Sequence, residues 1–177
     1  MVAHVFVDET KQRGYQLVAA HTGAADLTDD LRQLVRGLVL KGQRRVHMTK
    51  ESDPRKRVIV AAICGSAITA TVYDACRRYS HELDARAACL GALIDDLARG
   101  GATRLLIEQD DSLLRWDLQR LIELTRTANC GDSLRYEHQR GQAELLLAIP
   151  DAIAWCWAKG GDWRRPIEPI VTDVRRV

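Results

Sequence analysis

The chain's 177 residues are 46% hydrophobic and 28% charged, the balance of one soluble globular domain with a sizeable core. Its 26 basic and 24 acidic side chains leave a formal charge of +2, so net charge argues for no polyanionic partner and only local clustering can. No segment has the length and apolarity of a membrane span, and no basic start precedes an apolar core, so a cytoplasmic protein without a membrane partner is expected. The five cysteines are odd in number and never spaced C-x-x-C, which predicts small core residues in a reducing compartment rather than disulfides or a zinc site.

Val2 to Val7 is a short apolar run that reads as a strand ending in Asp8 and Glu9. A turn around Lys11 to Gly14 leads into a second strand, Tyr15 to Ala20, antiparallel to the first. Thr28 is placed to cap a helix carrying Leu31, Leu34, Val35, Leu38 and Val39, stopped by Gly42. Arg44 to Met48 predicts a short strand, and Asp53–Pro54 a helix to about Cys64 with proline at its first position. Ala67 to Tyr73 is β-branched and predicts a strand, and His81 to Arg99 a long helix ended by Gly100–Gly101. Thr103 to Ile107 predicts a strand that runs into Glu108. A helix capped by Ser112 extends to about Ala128, a strand covers Leu134 to His138, and a last helix covers Glu144 to Ala158 with a break or restart at Pro150. From about residue 160 the tail of this single domain, 1–177, reads as irregular. A hairpin followed by strands alternating with helices predicts an α/β mixed sheet with helices on its faces, as in the ribonuclease-H-like architecture. A doubly wound parallel sheet is the competitor, but it would not open with an antiparallel hairpin.

The carboxylates carry the chemistry. An Asp at the end of a central strand is costly to bury without a partner, and a hard divalent cation is one such partner. The plain alternative is a loop Asp that starts the turn. Glu108 ends its strand as Asp8 does, so adjacent parallel strands would bring the two to one edge. Asp110 and Asp111 read as loop acids or helix caps. Asp151 follows Pro150 and is either a third acid of the site or a helix N-terminal residue. Carboxylates from separate elements suit a site that holds two cations about 4 Å apart, one activating water and one steadying the leaving oxygen.

Four segments carry a resemblance. Val5–Phe6–Val7–Asp8–Glu9 is similar to the opening strand and Asp-Glu pair of the bacterial family known as domain of unknown function 3800. Val46–His47–Met48–Thr49–Lys50 with Pro54–Arg55–Lys56–Arg57 resembles that family's His-aromatic-Lys segment and basic helix. Leu105–Leu106–Ile107–Glu108 resembles a later strand ending in an acid, and the run from Leu146 to Ala154 its Gln-x-x-Asp helix. The resemblance spans nearly the whole chain in order, and it implies a ribonuclease-H-like fold with Asp8, Glu9 and Asp151 in the acidic site and Glu108 as the intermediate acid. Here Ala148 stands where the family has Gln, Pro150 precedes the Asp, and Met48 takes the aromatic place.

The expected function is metal-dependent hydrolysis of a phosphodiester in RNA or DNA. Asp8, Glu108 and Asp151 would bind Mg²⁺ or Mn²⁺, with Glu9 in the acidic site and His47 as acid–base helper. Lys50, Arg55, Lys56 and Arg57 are expected against nucleic-acid phosphates. The alternative is a catalytically inactive ribonuclease-H-like module that binds nucleic acid or protein, and a third reading makes the acids mere caps and loop residues. Trp155, Trp157 and Trp163 beside Lys159, Arg164 and Arg165 are either a base-stacking surface or core. Ser52 and Ser66 lack a triad pattern. No P-loop or G-x-G-x-x-G appears, so no nucleotide cofactor is expected.

Overall fold

The computed structural model describes residues 2–23 and 25–177. Its centre is one six-stranded mixed sheet. β1 (Ala3–Thr10) and β2 (Tyr15–His21) form the antiparallel hairpin, and β3 (Thr69–Cys76) pairs antiparallel with β2. β4 (Thr103–Glu108) lies parallel to β1, β5 (Leu134–Gln139) parallel to β4, and β6 (Val171–Arg176) parallel to β3. The strand order is therefore β5-β4-β1-β2-β3-β6. The hairpin turn requires glycine. Gly14 has φ +97°, and a Cβ there would fall 2.1 Å from the Cys76 carbonyl oxygen.

Strand alternation sorts the core into two layers. Phe6, Val18, Ala20, Val72 and Leu106 face α1 (Ala25–Leu38), α2 (Asp53–Cys64) and α5 (Ala148–Lys159). Val5, Val7, Leu17, Tyr73, Leu105 and Ile107 face α3 (Glu82–Ala98) and α4 (Leu114–Thr127). Cys89, Cys130 and Cys156 are buried, Cys64 half-buried and Cys76 exposed, and all five are free thiols. Among the described residues no helix is long and apolar enough to cross a membrane.

Several boundaries differ from the sequence expectation. α1 begins before Thr28, whose hydroxyl lies 3.2 Å from that of Thr22 inside the fold rather than capping the helix. Arg44 to Met48 is not a strand; the backbone turns there and closes a 3₁₀ turn at Met48–Lys50, with Val46 and Met48 buried as anchors. Ser112 does not cap α4, because its hydroxyl bonds Asp110 in the preceding turn. The last helix starts as a 3₁₀ turn at Leu145–Leu147 and becomes α-helical at Ala148, so Pro150 sits in the first turn, where backbone N–H groups have no helical partner. The tail is ordered rather than irregular. A one-turn helix, α6 (Gly161–Arg164), and a 3₁₀ segment with Ile167 and Ile170 buried deliver β6 to the sheet edge. The polar alternation of β6, Val171-Thr-Asp-Val-Arg-Arg, hides an edge strand that needs little apolar surface.

Candidate active site

Parallel pairing sets the first two acids. Val7 is opposite Ile107, so Asp8 and Glu108 are the next residues on neighbouring strands and share the face of Phe6 and Leu106. Asp151 comes from the first turn of α5, which packs on that face. All three line one cleft of about 340 Å³, together with Glu9, His47 and Trp155.

Their partners differ. Glu108 is ion-paired with Arg45. Asp151 Oδ2 accepts a hydrogen bond from the Met48 amide at 2.9 Å and lies 3.1 Å from His47 Nδ1, so the 3₁₀ turn and α5 hold each other through this carboxylate. Asp8 Oδ1 accepts only from the Glu9 amide, at 2.7 Å, and among the described residues no cation pairs with it. Burial pushes the Asp8 carboxyl well above the usual carboxylate range, and the negative charges of Glu108, Asp151 and Glu9 push it further.

Glu9 shares the cleft rim, but its carboxylate belongs to the opposite face. Strand alternation turns it toward α3, where Arg86 ion-pairs with it, the Tyr15 hydroxyl donates to it at 3.1 Å, and Lys11 lies 3.1 Å away. Arg86 is fully buried and also forks onto Asp117, 2.6 Å and 2.7 Å to its two oxygens. His138 Nε2 stands 3.0 Å from Asp117 Oδ2. Burial opposes the charged Asp117, but Arg86 and His138 outweigh it and hold its carboxyl below the usual range. This second set of charges is self-compensated.

The expected phosphate contacts scatter. Lys50 is exposed and lines a second cleft of about 490 Å³ that adjoins the first through Arg45, His47 and Glu108. Arg55 is engaged by the Leu38 carbonyl and by Glu51. Lys56 is buried, pairs with Asp53 at 3.2 Å and lies 4.7 Å from the Trp155 ring centre. Arg57 lies 4.7 Å from the Trp163 ring centre. Trp155 and Trp163 meet edge to face at 5.1 Å, and Arg164 lies 3.4 Å over buried Trp157. The basic helix and the tryptophans thus serve one another.

Arg86, Asp117 and His138 escape a reading by residue type. The signal for two of them is positional: Arg86 falls on the inward stripe with Leu90, Leu93 and Leu97, and Asp117 on that with Leu121 and Thr125. Charges at such positions need each other.

Carboxylates are suitable oxygen donors for Mg²⁺ or Mn²⁺, and among the described residues Asp8 has no cation paired with it. Among the described residues, however, no three His, Cys, Asp or Glu side chains stand as a ready ligand group. Arg45 and His47 hold two of the three acids.

No family model and no curated protein matches the chain. Among solved structures it is similar to the complex of PCNA with RNase HII from Archaeoglobus fulgidus, at 16% identity and a TM-score of 0.58, over 95% of this chain and 76% of that one. Sheet order, opening hairpin and this likeness together show that the chain has an α/β fold of the ribonuclease-H-like type.

Proposed function

We propose that the protein is a divalent-metal-dependent nuclease that hydrolyses phosphodiester bonds in RNA or DNA. The observation that carries the reading is the meeting of Asp8, Glu108 and Asp151 in one cleft, with Asp8 crowded by negative charge and, among the described residues, paired with no cation. The ribonuclease-H-like fold supports it, as does the resemblance of its motif order to the domain of unknown function 3800 family. In this reading Asp8, Glu108 and Asp151 are the residues that would hold Mg²⁺ or Mn²⁺, and the bound cation would supply water activation and leaving-group stabilisation. His47 then orients Asp151 from behind. Glu9 acts on β1 through Arg86 rather than in the reaction.

The test is incubation of labelled single-stranded RNA, single-stranded DNA and an RNA–DNA hybrid with protein and Mn²⁺. Wild type is expected to cleave at least one of them, and Asp8→Asn none. Mn²⁺ is also expected to raise the melting temperature of wild type and not of Asp8→Asn, because a cation bound only by the folded state stabilises it. Identical products, or equal shifts, from both proteins would sink the proposal. The second reading is a binding module without catalysis. It is favoured by the engagement of Glu108 with Arg45 and of Asp151 with His47, and it predicts binding without products.

A further inference from the structure

The second cleft holds the cations that the basic helix does not offer. Arg44, Lys50 and Arg140 line it and are all exposed. Arg140 is paired with Asp111 at 2.8 Å across the surface, a bond that water weakens. Arg44 and Lys50 have no ion-pair partner among the described residues. Two cations without an ion-pair partner among the described residues that line one concave surface gain from a shared anion. The rest of the lining is Gln43, Gln109 and Gln142, side chains that hydrogen-bond without charge, and Glu51, whose carboxylate is engaged by Gln43 and Arg55.

The cleft also adjoins the acidic one. Arg45, His47 and Glu108 line both cavities, so Arg45 stands at the junction. Gly141 makes room for it there, since a Cβ at that position would overlap the Arg45 guanidinium. A ligand that spans both cavities must be anionic along its length and must reach the carboxylates through a cation. A phosphodiester strand meets both demands, because its charges recur at each nucleotide.

We propose that Arg44 and Lys50 form a phosphate-docking track that leads a nucleic-acid strand across Arg45 to the acidic cleft. This rests on the nuclease reading for the identity of the strand, and it replaces the basic helix 55–57 as the phosphate contact. Arg45, ion-paired with Glu108, stands where the track meets the acidic cleft.

The experiment measures binding without cleavage. Fluorescein-labelled single-stranded RNA, single-stranded DNA and an RNA–DNA hybrid are titrated by anisotropy in EDTA over a range of salt. The proteins are wild type, Arg44→Gln/Lys50→Gln, and Arg115→Gln/Arg126→Gln, which removes the same charge from exposed positions of α4. Both substituted pairs are exposed, and equal melting temperatures will show that folding is intact. The track variant is expected to bind on the order of tenfold more weakly. Its slope of log affinity against log salt should be shallower by about 1.4 on a single strand or about 1.8 on a duplex. The α4 variant should match wild type. If the track variant matches wild type, or the α4 variant loses as much, the track is wrong while cleavage by wild type still supports the nuclease. If the track variant loses binding but wild type leaves every strand uncut with Mn²⁺, the track stands and the nuclease falls. If wild type binds no strand at any salt, both fall.

Discussion

Asp8 and Glu9 are neighbours in sequence, yet they face opposite sides of the sheet and live in opposite electrostatic worlds. Glu9 is met by Arg86, Tyr15 and Lys11, and Arg86 in turn by Asp117. Asp8 is met by other acids and by one backbone amide. One side spends its charges on holding β1, β2, α3 and α4 together at this edge. The other leaves a carboxylate uncompensated in a cleft. A fold tolerates the second arrangement where the charge has work to do with something outside the chain, since structure alone would select a partner for it. The contrast therefore separates structural acids from candidate catalytic ones more sharply than residue type does.

Breaking the compensated side should have the largest effect. Asp117→Ala leaves Arg86 buried with only Glu9 to balance it, and removal of one partner of a buried pair costs about 3–5 kcal/mol. Urea melts will read this as a fall in the midpoint. Replacing both members, Arg86→Met with Asp117→Leu, should recover much of the loss, because no lone charge remains. A single substitution that costs under about 1 kcal/mol would mean that the network does not hold the edge, and the contrast with the Asp8 side would lose its basis.

Most of the fold is legible because its elements are strongly patterned. The hairpin, α2, β4 and the acids at the strand ends follow from apolar runs, one proline and abrupt charge. The misreadings share a cause, which is that polar or irregular stretches are fixed by distant contacts. Arg44 to Met48 looks extended, but its shape comes from Asp151 bonding the Met48 amide. β6 has little apolar surface and is a strand because β3 offers it an edge. The basic run at 55–57 has neighbours that sequence order does not bring near: two aromatic rings and the Leu38 carbonyl. Glu9 and Asp8 look alike as a pair, and only the alternation of β1 parts them.

A smaller effect tests the pair directly. Glu9→Gln removes the negative partner of Arg86 and Lys11 while keeping size. The loss should be about 1–3 kcal/mol, the cost of weakening hydrogen bonds to a buried charge. Asp8→Asn, one residue away, should instead leave the protein as stable or make it more so in metal-free buffer, since it deletes a repelled charge. Opposite signs from two adjacent acid-to-amide substitutions are the signature of the contrast. Equal losses would place both acids in the structural set.

The smallest effect is in the pH profile, where the two sides titrate in opposite senses. Asp117 is held below the ordinary carboxylate value, so the stability that it contributes is present above that value and is lost as pH falls through its folded pKa. Asp8 is held well above the ordinary value of 3.8, so over the window between the two the native state binds more protons than the unfolded chain. Stability then falls as pH rises through that window. In metal-free buffer wild type should therefore weaken as pH rises above the ordinary carboxylate value, and Asp8→Asn should lose that decline while it keeps the collapse in strong acid. Mn²⁺ should reverse the decline for wild type alone, because a bound cation favours the ionised carboxylate that burial and Glu108 oppose. A decline that persists in Asp8→Asn would assign it to another group and leave Asp8 an ordinary acid, even with its neighbours in place.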